Sequence, residues 1–160
     1  MSKEKSSITP AVRMLKTFNV QFTEHPYKYE ERGGTEVSAR ELEVDEHAVV
    51  KTLIMEDDKK NPMVVLMHGN LEVSTKSLAR FLDVKSVRPC APDMAHKHSG
   101  YIVGGTSPFG TRKIMPVYME ETILSLPKIY INGGKRGYLV GIDPKELVRV
   151  IKPALVRVGI

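Results

Sequence analysis

Val49-Val50-Lys51-Thr52-Leu53-Ile54-Met55 is a short apolar run rich in β-branched residues, and it constrains the fold more than any other stretch of the chain. A run of this length bounded by turn signals reads as a buried strand. A polar turn over residues 57–62 follows, and Met63 to Met67 reads as the partner strand of a hairpin. Alternation places Val49, Lys51, Leu53 and Met55 on one face and Val50, Thr52 and Ile54 on the other. Lys51 therefore emerges from an apolar surround. Burying an unpaired charge is costly, and two readings follow. The stem lies on the sheet while the head reaches water, or the cation is aimed into a pocket, at a phosphate or a developing oxyanion.

The rest of the chain supplies short elements around this hairpin. Thr9-Pro10 opens a helix with a capping hydroxyl and a preset φ, and Asn19 can close it. Residues 20–24 alternate as a strand that His25-Pro26 ends, Arg32-Gly33-Gly34 is a turn or loop, and 38–43 read as a short helix. Asp45 caps a further turn leading into Val49. Helices are expected over 74–82 and 91–98, the second closed by Gly100, with a strand over 84–87 between them. Further strands are expected over 101–103, 114–118, 129–131 and 138–142, and Asp143-Pro144-Lys145-Glu146 starts a last helix over 147–151. The apolar end, 154–160, adds a strand or an interface. Helices are interspersed without a βαβ rhythm. The expectation is one α+β domain over residues 1–160, with a mixed, mainly antiparallel, barrel-like sheet and surrounding helices.

Several function classes can be set aside. No run of about 18 apolar residues is present, so no membrane-spanning helix is expected. Met1 to Pro10 is polar and lacks the apolar core of a secretory signal. A single cysteine, Cys90, excludes an internal disulfide, and a reducing cytoplasm is the natural location. His96 and His98 flank Lys97 without a CxxC pair, so no metal is expected. His25 either lines a pocket or hydrogen-bonds a loop. No nucleophile-elbow motif supports a Ser-His-Asp triad. The net charge of +5 is unevenly spread, −1 over residues 1–80 and +6 over 81–160. A basic half suits a polyanion or is a solvated surface.

Two glycine loops stand out. In Gly104-Gly105-Thr106-Ser107-Pro108-Phe109-Gly110 the glycines let the backbone approach a ligand, and successive N–H groups can form an anion-binding nest. The alternative is an ordinary glycine-rich connection. The spacing from Gly105 to Gly110 is that of a P-loop, but Thr111-Arg112 stands where Lys-Ser/Thr is needed, and no GxGxxG is present. Arg112-Lys113 follows directly. The second loop, Gly133-Gly134-Lys135-Arg136-Gly137, is either another backbone-lined ligand loop with two cations for phosphates or a charged hairpin turn. With Lys51, the two loops suit a substrate carrying both carbonyl and phosphate groups.

Thr9-Pro10-Ala11-Val12, Lys51-Thr52-Leu53, the segment from Gly100 to Gly110 and Gly133 to Gly137 together resemble the YbaK/EbsC family. The resemblance runs in order from about residue 9 to 151. Members of that family are free-standing aminoacyl-tRNA deacylases similar to the editing domain inserted in bacterial prolyl-tRNA synthetases. The resemblance implies a barrel-like mixed sheet and aminoacyl-tRNA as substrate. Prolyl-tRNA synthetase is then a candidate partner; membrane, DNA, metal and organic cofactor are not implied. It makes Lys51 the active-site lysine, with Gly104, Gly105 and Ser107 as catalytic loop residues. Tyr27, Thr52, Thr106, Pro108, Asn132, Gly133 and Gly134 then bind substrate, and Arg112, Lys113, Lys135 and Arg136 meet tRNA phosphates. The YbaK subtype acts on Cys-tRNA(Pro), its substrate thiol attacking its own ester carbonyl. Two positions depart from that subtype. Asn132 stands where a serine is usual, and Tyr138-Leu139-Val140 replaces a carboxylate after Arg-Gly. Water-driven cleavage of Ala- or Ser-tRNA, and a non-enzymatic tRNA- or synthetase-binding module, are the alternatives.

Overall fold

The computed structural model describes residues 8–160. Its centre is the expected hairpin, β2 (Val49–Asp57) against β3 (Pro62–His68), antiparallel in the register Lys51↔Met67, Thr52↔Leu66, Leu53↔Val65. β1 (Thr23–Pro26), β4 (Val87–Pro89), β5 (Val117–Glu120), β6 (Ile129–Lys135), β7 (Tyr138–Ile142) and β8 (Ala154–Val156) complete a mixed sheet in the order β1-β7-β6-β2-β3-β5-β8, with β4 also on β2. Its path is open, since β1 and β8 do not pair among the described residues. The β2–β6, β3–β5 and β5–β8 ladders are parallel and the other four antiparallel. Among the described residues five α-helices surround the sheet: α1 (Pro10–Thr17), α2 (Gly34–Leu42), α3 (Thr75–Leu82), α4 (Pro92–Ser99) and α5 (Lys145–Ile151). None is long and apolar enough to cross a membrane.

The hairpin buries both faces, as continuous apolar strands do. Val50, Ile54, Val64 and Leu66 join α1, β6 and β7 in one core, which also holds Leu15, Phe109, Ile131 and Val140. Met55, Met63, Val65 and Met67 meet Leu78 of α3 and Val156 and Val158 from the chain's end in a second. A third, small cluster joins Val49, Ala39 of α2 and Leu139 of β7, with Tyr27 and Tyr130 packed on it. The caps expected at Thr9 and Asp45 form, and Ser74, expected inside its helix, caps it instead. Thr9 Oγ1 accepts the Val12 N–H, Asp45 Oδ1 the His47 N–H and Ser74 Oγ the Ser77 N–H. Asp143 Oδ1 accepts the Lys145 N–H at the start of α5. The chain's end does add a strand, β8 on β5.

Several boundaries differ from expectation, and two share a cause. α1, α2 and α3 each end in the same six-residue closure, with Asn19, Glu43 and Asp83 in the left-handed region. Val20, Val44 and Val84 then donate back to Leu15, Ala39 and Ala79. Val20 and Val84 are thereby spent on helix termini, so β1 starts at Thr23 and β4 at Val87. α2 begins four residues earlier than expected, on Gly34. Residues 101–103 are not a strand. Tyr101 turns inward, its Oη donating to the Phe109 carbonyl at 2.6 Å, which closes residues 101–109 into a loop around buried Phe109.

Candidate functional site

On one edge of β2 the sheet is interrupted. β6 pairs with it only at Val49↔Tyr130 and Val50↔Ile131, and β4 only from Met55↔Pro89 onward. A cleft of about 810 Å³ opens at this interruption. Lys51 and Leu53 of β2, Tyr27 and Tyr29 after β1, and Val37 and Ser38 of α2 line it. Leu139 of β7 and Cys90 after β4 complete its apolar part, and Gly104, Thr106, Asn132 and Arg136 its glycine-loop side.

Lys51 is the cation of the apolar wall. Its side chain is 23% exposed, and its ion-pair partner is Glu72, whose Oε2 lies 4.0 Å from Nζ and which is itself 84% exposed. So loose a pair in water holds little energy, which leaves the lysine head available to a ligand in the cleft. Thr52 follows with its side chain on the opposite face. Its Oγ1 is the one buried side-chain polar atom without a partner among the described residues.

The two glycine loops form one unit. Gly104 has φ +90°, and its carbonyl accepts from Asn132 Nδ2 at 3.1 Å. Asn132 Oδ1 in turn accepts the N–H groups of Gly134 and Lys135, at 2.6 and 3.1 Å. Arg136 Nε donates to the Val103 carbonyl at 2.9 Å, and its guanidinium lies 5.0 Å from the Tyr29 ring centroid. Gly105 packs so closely that a Cβ there would sit 2.9 Å from the Lys135 and Arg136 backbone. Asn132, read as a substrate-binding residue, is thus mainly a brace between loops, its oxygen fully used.

Sequence-derived candidates are brought together in part. Tyr27, Lys51, Thr52, Gly104, Thr106, Asn132 and Arg136 line the cleft; Gly105, Pro108, Gly133 and Gly134 lie behind its lining. Ser107, expected as a catalytic hydroxyl, is completely buried and accepts the Phe109 N–H, so it shapes the loop. Arg112 and Lys113 are exposed and absent from the lining; their N–H groups close the end of α4 on Ser99 and His98. Lys135 lies over the Tyr138 ring, 5.3 Å from its centroid. His25 bonds Thr23 and meets the edge of Tyr130, the hydrogen-bonding alternative for that residue.

Tyr29, Ser38, Glu72 and Cys90 were not read as cleft residues from the sequence. Only Tyr29 carried a signal, because Tyr27 and Tyr29 share a face of an extended segment. Burial and the neighbouring Tyr29 raise the Tyr27 phenol above its ordinary value. Cys90 donates from Sγ to buried Glu56, which also pairs with Arg88 at 2.8 Å. Burial first, and the Glu56 charge second, push its thiol up to about 11. A thiol so placed stays protonated near neutrality and is a poor nucleophile.

A lysine that shares a cleft with a glycine loop can bind a carbonyl and stabilise negative charge on it. Comparison with known proteins agrees with this chemistry. Residues 30–150 match the family described as the aminoacyl-tRNA editing domain. The chain is 30% identical over 150 residues, 92% of each chain, to EbsC of Enterococcus faecalis (strain ATCC 700802 / V583), whose name assigns it to Cys-tRNA(Pro)/Cys-tRNA(Cys) deacylation. It is 27% identical over 106 residues, 66% of its length, to 17% of a proline–tRNA ligase of Streptococcus equi subsp. zooepidemicus (strain H70). A crystal structure described as a trans-editing enzyme for prolyl-tRNA synthetase shares the fold, with a TM-score of 0.80 at 21% identity, over 95% of this chain and 98% of that one.

Proposed function

The chain belongs to the aminoacyl-tRNA editing domain family, and from that premise we propose that it removes cysteine from mischarged Cys-tRNA(Pro) in the cytoplasm, the substrate's own thiol attacking its ester. The observation that carries this reading is Lys51, a lightly paired cation in an apolar wall facing the Gly104 loop. In the reaction the sulfur–carbon bond forms as the bond between the carbonyl carbon and the ribose oxygen breaks. The thiol proton passes to that oxygen, and water later opens the cyclic thioester. Making the attack intramolecular lowers a barrier by about 7–11 kcal/mol in the best-oriented cases. The protein's part is to fold the aminoacyl group over its carbonyl, exclude bulk water and hold the oxyanion with loop N–H groups and Lys51. Protonated Cys90 fits this division of labour, since the chain then brings no thiolate of its own. The EbsC relative supports the choice of substrate, and the synthetase relative supports prolyl-tRNA synthetase as a partner.

A panel of Cys-tRNA(Pro), Ala-tRNA(Pro), Ser-tRNA and correctly charged Pro-tRNA(Pro) tests the reading by initial deacylation rates. Cys-tRNA(Pro) reacts fastest, and Ala-tRNA(Pro), lacking the thiol, at least about ten-fold more slowly. Equal rates on the two would assign the attack to water. Absence of cleavage across the panel would make the chain a binding module.

A further inference from the structure

The interruption in the sheet leaves a peptide group whose edge no strand covers. Cys90 N–H donates to the Ile54 carbonyl at 3.0 Å, so Ile54 directs its peptide groups toward β4. Along a strand these directions alternate, and Lys51 and Leu53 bond toward β3. Thr52 therefore points its N–H and C=O to the same edge as Ile54. The β6 ladder has ended there at Ile131, and the β4 ladder has not begun. Gly134, whose N–H a continued parallel ladder would give to the Thr52 carbonyl, has that N–H committed to Asn132 Oδ1. The Thr52 donor and acceptor thus face the cleft between two ladders, beside Lys51.

We propose that the Thr52 peptide reads the backbone of the esterified amino acid, its C=O accepting from the α-ammonium and its N–H donating to the acyl carbonyl. This rests on the deacylase reading and adds the substrate feature it selects, a free α-amine. A residue opposite an extended strand exchanges both hydrogen bonds with one partner residue. An α-amino acyl group presents that donor and acceptor from one carbon, as a one-residue strand addition. The site thereby accepts aminoacyl esters and rejects esters without the amine or with it acylated, because a buried carbonyl left unmatched is costly.

The test is binding, independent of turnover. The full chain is titrated with a non-hydrolysable 3′-amide of cysteine on 3′-amino-3′-deoxyadenosine and with the 3-mercaptopropionyl version, which lacks only the amine. The cysteinyl compound binds at least about ten-fold more tightly. Thr52→Pro removes an N–H that no ladder uses, is compatible with an open strand edge, and weakens both compounds by a similar factor. Thr52→Val, which removes only the hydroxyl, keeps the affinity ratio between the two compounds. Equal affinity of the wild type for the two compounds, or binding of neither, overturns the inference. So does loss of discrimination in Thr52→Val, which would move recognition to the hydroxyl. Discrimination in binding without cleavage of any aminoacyl-tRNA would instead sink the deacylase reading and leave this inference standing.

Discussion

Residues 104–113 and 133–136 look alike as sequence: a glycine-rich loop followed closely by two adjacent cations. In the fold they part company. Lys135 and Arg136 stay with their glycines on β6 and its turn, where Arg136 binds the Val103 carbonyl and covers Tyr29 at the cleft. Arg112 and Lys113 are carried away by the buried Ser107-Pro108-Phe109 segment and finish α4 on the exposed surface. A basic pair thus gains a role from where its backbone is anchored, and the loop it follows is a poor guide. The first loop contributes Gly104 and Thr106 to the cleft; the second contributes the Arg136 cation.

The comparison can be broken most severely at the seam between the loops. Gly105→Ala places a methyl 2.9 Å from the Lys135–Arg136 backbone, so one loop must move. Misplacing a reacting group by about 1 Å can cost on the order of 100-fold, and a drop of that order in the deacylation rate is expected, with a destabilisation of about 1–3 kcal/mol read from thermal unfolding. Wild-type rates in Gly105→Ala would show that the seam is not part of the site. Arg136→Ala is the next largest change. It should weaken tRNA binding several-fold and reduce the dependence of log K on log salt by about one. The pair Arg112→Ala/Lys113→Ala should do less on both measures, and a larger effect from that pair would reverse the comparison.

The smallest effect is expected at Cys90, which lies in the cleft without being armed. Cys90→Ser should keep activity on Cys-tRNA(Pro) within about two-fold. The wild-type thiol should be alkylated at a rate that keeps rising with pH toward about 11, well beyond the ~8.5 of a free cysteine. The sign follows from the thiolate being the reactive form. A plateau between pH 8 and 9 would show that burial and Glu56 do not hold the proton.

What the sequence made legible is what local periodicity encodes. The hairpin and the facing of Lys51 follow from two-residue alternation in a Val/Ile-rich run, and the caps at Thr9 and Asp45 from residue type. The late start of β4 was hidden because Asp83 closes α3 in a conformation usually given to glycine, and that of β1 because the closure at Asn19, itself legible, also takes up Val20. The cleft itself was hidden for a different reason. It exists because β6 stops pairing with β2 before β4 begins, a relation among three segments far apart in the chain that no local pattern encodes. Ser107 shows the converse error: a hydroxyl in a glycine-rich string suggests chemistry, while the packing of Phe109 turns it inward.

The central claim is that Lys51 serves the ester and not the fold. The direct measurement is the single-turnover deacylation rate of Cys-tRNA(Pro) for Lys51→Ala beside its thermal midpoint. Loss of most of the rate with an unchanged or raised midpoint is the predicted result, because the alanine removes a partly desolvated charge from an apolar wall. A Lys51→Ala protein that cleaves Cys-tRNA(Pro) at the wild-type rate would contradict the account.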